Sequence, residues 1–366
     1  MECNNEPMQA DQEVNDESRY NAGLKPVFRR PALTYVLIAL NVLVWLVLEL
    51  ISLKTGESYY VLTKFGEKNN ALILKGEYWR FLTCMLLHAG IAHLASNCYG
   101  LYYLGTQTEF IYGRKKFIAI YILSGLMGSI ASFALSTTPA VGASGAIYGL
   151  MGAMLYFILQ KPALLLSSVG INLVAIIVLG LVSGFMDSRI DYFAHLGGLV
   201  GGFLIAGAFF RKNERPSVLW ISGARAAFIA VCVAVAGLLY GFYGPMNRVF
   251  PMLEELQSYN MVKDWPKAEK LAEEILSLEP SGLGVRVEAL WGLTVAEVMQ
   301  DKWDEGMEHA RQLIEMDPES GHYLLGALYI YRGDYENGRK ELLLSKRAGN
   351  SYEKEIDRLL EVIDGW

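Results

Sequence analysis

From Phe117 to Met186 the chain reads FIAIYILSGLMGSIASFALSTTPAVGASGAIYGLMGAMLYFILQKPALLLSSVGINLVAIIVLGLVSGFM, seventy residues in which Lys161 is the only charged side chain. A membrane-spanning helix needs about 20 predominantly apolar residues, so this stretch has room for three crossings. Outward from it the character changes. Between Pro251 and Trp366 there are 24 acidic and 13 basic residues among 116, and residues 1 to 24 carry six acids and one Arg. A mean hydropathy of +0.26 with 53% hydrophobic and 19% charged residues therefore averages two unlike environments. One soluble globule is excluded, and the chain divides into a polar tail, a membrane core and a water-soluble C-terminal part. The overall charge of -6 hides a core of +10 between residues 25 and 250. That balance speaks against nucleic-acid binding and for loops sorted by sign across a bilayer. The four cysteines, Cys3, Cys84, Cys98 and Cys232, form no CxxC pair and no disulfide framework. The acidic N-terminus, followed by a long apolar span without a small-residue cleavage site, reads as no secretory signal.

Seven spans are expected, at about 32–52, 84–106, 116–136, 144–160, 163–186, 191–210 and 222–244. Lys25, Arg29, Arg30, Arg114, Lys115, Lys116, Lys161, Arg211, Lys212 and Arg215 fall on one side of a simply woven chain. The other side carries Lys54, Lys64, Lys68, Lys75, Arg80 and Arg189, spread over longer loops. The positive-inside rule then puts the N-terminus in the cytoplasm of a multi-pass cell-membrane protein, and seven crossings put the C-terminal domain outside. The first outer loop, about Ser52 to Thr83, is too long for a turn and reads as a partly helical interfacial loop. Beyond Met252, Trp265, Ala268, Ala272 and Pro280 recur 38 residues later as Trp303, Gly306, Ala310 and Pro318, with a weaker third copy at Gly333, Asp334, Tyr335 and Gly338. This pattern resembles tetratricopeptide repeats, helix pairs that stack into a binding surface. The expected fold is all-α: a polytopic membrane helical bundle with a six-helix core plus a seventh helix, and a C-terminal α-helical repeat domain. The expected divisions are an acidic tail at 1–31, the core at 32–210, a loop and seventh helix at 211–249, and repeats at 250–366.

Spans two, four and six all start at the outer face, and the unusual residues sit there. His88, His93 and Asn97 open span two, Gly142-Ala143-Ser144-Gly145 opens span four, and Asp191 with Ala194-His195-Leu196-Gly197-Gly198 opens span six. Polar groups inside a bilayer are costly, about 2.5–3.5 kcal/mol for a charge at its centre, which makes them functional candidates. Ser144 to Gln160 spans about 25 Å at 1.5 Å per residue, less than a hydrocarbon core of about 30 Å, so Ser144 is expected to lie recessed. A serine in the first turn has free backbone N–H groups beside it that suit a developing oxyanion. Each feature also has a plainer reading. Gly-x-Ser-Gly in a Gly-rich helix serves packing, as does Gly198-x-x-x-Gly202, and His195 alone would be a hydrogen-bonded packing residue. The histidines of span two would be metal ligands, but no HExxH or acid cluster supports zinc. Asp191 would orient His195 or, as its polar loop suggests, be solvated.

Taken jointly, these residues resemble the rhomboid family of intramembrane serine proteases. The family's G-x-S-G serine and A-H-x-x-G histidine correspond to Ser144 and His195, with Gly198 and Gly202 following. Its H-x-x-x-x-H-x-x-x-N is present as His88, His93 and Asn97, its Trp-Arg pair as Trp79 and Arg80, its packing tyrosine as Tyr148, and its E-x-x-x-G as Glu109 and Gly113. The likeness covers about residues 30 to 210, and the seventh span with tetratricopeptide-like repeats is similar to the rhomboids of Gram-positive bacilli. It implies Ser144 as nucleophile and His195 as base. It further implies the Ser144 backbone N–H, Asn97 and His93 as oxyanion donors, Gly142 and Tyr148 as site supports with Tyr148 packed on the histidine, and structural duties for His88, Trp79, Arg80, Glu109, Gly198 and Gly202. No metal and no cofactor are expected. The implied partners are transmembrane protein substrates, the lipid bilayer and proteins that dock on the repeats. A non-catalytic membrane chaperone or adaptor and a small-molecule transporter remain the competing classes.

Overall fold

The computed structural model describes residues 31–55, 58–187, 190–210, 221–280, 282–349 and 351–364. The acidic tail and the basic positions Lys25, Arg29, Arg30, Arg189, Arg211, Lys212 and Arg215 lie outside the described residues. Among the described residues all extended elements are helical, and the one β feature is an antiparallel bridge between Lys68 and Ala140.

The first helix, α1 (Ala32–Thr55), leads into a loop folded as three short helices, α2 (Ser58–Phe65), α3 (Asn70–Leu74) and α4 (Arg80–Thr83). After a 3-10 turn at Cys84–Leu86 comes α5 (Ile91–Tyr112), interrupted by a π-helical turn at Leu101–Gly105. Next are α6 (Arg114–Leu135), α7 (Ser144–Leu159), the short α8 (Pro162–Leu165), α9 (Ser168–Met186), α10 (Tyr192–Ala208) and α11 (Ala224–Tyr243). Helices α1, α6, α9 and α11 are individually long and apolar enough to cross a membrane. Helix α5 forms a bent pair with Arg80–Leu86, turned through 94°, and α7 and α10 are shorter apolar helices of 16 and 17 residues.

One expected boundary moves. Span two begins at Ile91 rather than near residue 84, because Leu87 and Gly90 are extended and break the helix. His88 therefore precedes the helix that holds His93 and Asn97.

Helices α6, α7 and α10 form the centre of the bundle. In a bilayer there is little hydrophobic gain between apolar helices, so close van der Waals approach through small residues must hold them together. A Cβ on Gly198 would lie 1.9 Å from Gly145 O, and one on Gly202 would lie 1.8 Å from Gly149 O. The backbones of α7 and α10 thus touch, and only glycine permits it. Around this seam Phe117, Ile120, Leu150 and Tyr156 are buried.

The C-terminal part consists of α12 (Val249–Val262), α13 (Trp265–Ser277), α14 (Leu283–Val298), α15 (Trp303–Met316), α16 (Pro318–Tyr331), α17 (Tyr335–Ala348) and α18 (Glu353–Asp364), each packed on the next. Ala268, Ala272 and Ala310 are completely buried, where a larger side chain would push neighbouring helices apart. This domain rests on the end of the bundle where α6 finishes and α7 starts. Asn247 Nδ2 donates to Phe133 O and Gly241 O, both at 2.8 Å, while its Oδ1 accepts from Asn70 Nδ2 at 2.6 Å. The Gly282 N–H donates to Thr137 Oγ1 at 2.6 Å, and Lys75 pairs with Glu254.

Candidate active site

Ser144 is the first residue of α7, and His195 lies in the first turn of α10. The glycine seam brings these two helix starts to the same depth. Ser144 Oγ and His195 Nε2 are 2.9 Å apart, which is hydrogen-bond distance. The imidazole is buried and lies flat against Tyr148, with ring centroids 4.2 Å apart and planes at 12°. Its Nδ1 has no hydrogen-bond partner among the described residues, so stacking, and not a carboxylate, orients the ring. Tyr148 finds space because α9 has glycine opposite: a Cβ on Gly180 would fall 2.0 Å from the tyrosine hydroxyl.

The approach to Ser144 is a tight turn. Gly142 has φ +126°, in the region open to glycine, and its N–H donates to Cys84 O at 2.8 Å. A Cβ there would lie 2.8 Å from His93 Nε2 and 3.8 Å from Ser144 Oγ, so the histidine, the glycine and the hydroxyl border one small space. One turn along α5 from His93, Asn97 is buried, and its Nδ2 donates to His93 O at 2.9 Å. An amide nitrogen carries two hydrogens, and the second remains to donate elsewhere. The first turn of α7 leaves backbone N–H groups without an intrahelical acceptor, and His93 borders the same small space.

This arrangement has relatives. The Rhomboid domain family model matches residues 75–212. The chain is 35% identical over 309 residues to Rhomboid protease GluP of Bacillus subtilis (strain 168), covering 82% of this chain and 58% of that protein. It is 32% identical over 189 residues to Putative rhomboid protease YdcA of the same organism, covering 50% of this chain and 92% of YdcA. To Rhomboid protease AarA of Providencia stuartii it is 32% identical over 242 residues, covering 57% and 80%. The chain belongs to the rhomboid family. With its apolar helices, that makes it a multi-pass membrane protein.

The other residues singled out in this rhomboid chain fall around the pair rather than in it. Arg80 is buried beneath Trp79, 4.6 Å from the ring centroid, and donates to Glu77 Oε2, Thr63 O and Glu67 O, which folds the first loop on itself. His88 is buried edge-on to His93 at 5.2 Å. Glu109 sits at the far end of α5 and accepts from Leu33 N, Thr34 N and Thr34 Oγ1, at 3.1, 2.8 and 2.8 Å, so it closes the free N-terminus of α1. Among the described residues no cluster of three His, Cys, Asp or Glu side chains is arranged to hold a metal ion.

Asp191 is not a solvated loop residue. It caps α10, accepting from Ala194 N at 2.9 Å and from Ser132 Oγ, because the serine of α6 lies opposite the first turn of α10. Behind Ser144 a cavity of about 30 Å3 is lined by Lys68, Cys84, Ser129, Ser132 and Asp191, among others. Of these, Lys68, Ser129 and Ser132 were not picked out from the sequence. Their only signal there is a lysine just before two asparagines in the first loop and serines in an apolar helix, neither distinctive alone.

Proposed function

We propose that this chain is an intramembrane serine endopeptidase that cuts a transmembrane segment of a protein substrate near the membrane face where α7 and α10 begin. The observation that carries the reading is the 2.9 Å contact between Ser144 Oγ and His195 Nε2 at the starts of two apolar helices. His195 Nε2 takes the Ser144 proton as Oγ attacks a peptide carbonyl. The histidine then protonates the departing amine, leaving an acyl-enzyme that water hydrolyses in a second, reversed step. The oxyanion of each step is held by the Ser144 backbone N–H, Asn97 and His93. A polar recess supports this chemistry because water must reach the acyl bond. The substrate helix has to unwind there, since an intact helix keeps its carbonyls in hydrogen bonds. Labelling of Ser144 by a fluorophosphonate, absent in Ser144→Ala, tests the reading, and a labelled Ser144→Ala protein would reject it.

Asn97→Ala separates an oxyanion donor from a packing residue. Turnover of a single-pass reporter protein in liposomes is expected to fall by about 10²-fold with KM nearly unchanged, the usual loss for one oxyanion donor. A raised KM with intact turnover would assign Asn97 to substrate docking instead.

The C-terminal helices are a tetratricopeptide-like repeat array, a reading supported by the 38-residue recurrence of Trp265, Ala268 and Ala272 as Trp303, Gly306 and Ala310 and by the burial of those small positions. It offers a docking surface to proteins at the same membrane face as Ser144. The basic loops orient the chain with its N-terminus in the cytoplasm and this domain outside. External protease added to intact cells is expected to remove a C-terminal tag. A tag that is digested only after lysis would refute the orientation.

A further inference from the structure

Lys68 is a buried cation to which the chemistry above gives no task. It is 1% exposed, a costly place for an ammonium unless acceptors and a counter-charge compensate it. Its Nζ donates to Ser136 O at 3.3 Å. Its main chain exchanges both hydrogen bonds with Ala140, at 2.8 and 3.0 Å. One residue therefore grips both ends of the segment 136–140 that leads into Gly142 and Ser144. Asn70 holds the start of the same segment, with Nδ2 donating to Ser136 O at 2.8 Å.

The counter-charge belongs to the other half of the catalytic pair. Lys68, Asp191 and Ser144 line one cavity, and Asp191 caps the helix whose first turn holds His195. Through Ser132, the Asp191 carboxylate also ties that cap to α6. We propose that Lys68 is a positioning residue that couples the loop carrying Ser144 to the cap of the helix carrying His195, keeping the two reacting side chains in register. The proposal rests on the Ser144–His195 reading above.

The coupling depends on charge. Burial lowers the Lys68 ammonium to about 8, against the attraction of Asp191 and, more weakly, of Cys84 and Glu67. The groups facing it are Asp191 from the turn before α10, Cys84 from the turn after α4, Glu67 beside it and the hydroxyls of Ser129 and Ser132 on α6. Below that pH the ammonium is present and the cap has its partner. As pH rises through it the lysine becomes neutral, and Asp191 loses the cation that shares its cavity.

The test uses the full chain in liposomes, reading reporter turnover and the rate of fluorophosphonate labelling at Ser144 between about pH 6.5 and 9.5. In the unmodified protein both rates are expected to fall about tenfold as pH rises through about 8, in kcat and not in KM, the scale that a small misplacement of reacting groups produces. Lys68→Met keeps the length and removes the charge; its rates are expected to be about tenfold lower already at neutral pH and flat above it. Cys84→Ser should retain the fall. An unmodified protein whose rate is flat across this range, a fall that survives in Lys68→Met or vanishes in Cys84→Ser, or a change confined to KM would each overturn the proposal. Should Lys68→Met not fold, Asp191→Asn takes its place and must abolish the fall. A protein unlabelled at every pH would instead refute Ser144 as nucleophile.

Discussion

Ser144→Ala is expected to lower cleavage of a single-pass reporter protein by about 10⁴-fold or more, with the protein still folded and inserted. The substitution removes one oxygen atom from a helix start and leaves the glycine seam between α7 and α10 untouched. His195→Ala should cost about as much, since the imidazole is the only base within reach of Oγ among the described residues. Two groups that act as one unit lose their effect once, so the double variant should be no slower than either single one. The measurement is turnover at equal amounts of inserted protein. Substantial residual cleavage in either single variant, or a further large loss in the double, would remove the pair from the mechanism.

Gly198→Val should show the second large effect, on stability. The added Cβ would meet Gly145 O at 1.9 Å and Gly145 C at 2.8 Å, both backbone atoms of the facing helix. No rotamer relieves that contact, so α7 and α10 must separate. Overpacking of this kind costs about 3 kcal/mol, and for a chain of this size it lowers Tm by roughly 4 °C. Thermal unfolding in detergent measures it, with Gly284→Ala as the comparison, because a Cβ at Gly284 meets nothing within 4 Å. A Gly198→Val protein with unchanged Tm would show that the two helices are not in backbone contact.

The same seam explains what could be read in advance. Ser144 and His195 stood out because hydroxyl and imidazole groups are conspicuous in apolar text, and weaving the spans brings their starts to one face. The long first loop was legible as partly helical, but not its bearing on Ser144. Lys68 reads there as a topology marker, one positive charge among six. Its burial depends on pairing with Ala140, a contact across more than seventy positions for which local pattern holds no signal. Asp191 is hard to read for a related reason. A carboxylate near Asp187 and Arg189 looks solvated in a linear reading, whereas it caps its own helix through Ala194 N and is tied to another helix by Ser132. His88 was placed on a helix because apolar composition runs through residues 84 to 106, whereas the extended backbone at Leu87 and Gly90 interrupts it.

The wide turn at Leu101–Gly105 changes how α5 keeps time. Asn97 and Glu109 are twelve positions apart, and at about 100° per residue an unbroken α-helix would present them roughly 120° out of phase. Both are nevertheless buried, Asn97 one turn after His93 and Glu109 under the start of α1. A π turn absorbs one residue without advancing the face, which cuts the difference to roughly 20°. A single added residue thus works as a phase corrector, letting one helix turn buried polar side chains inward at both of its ends.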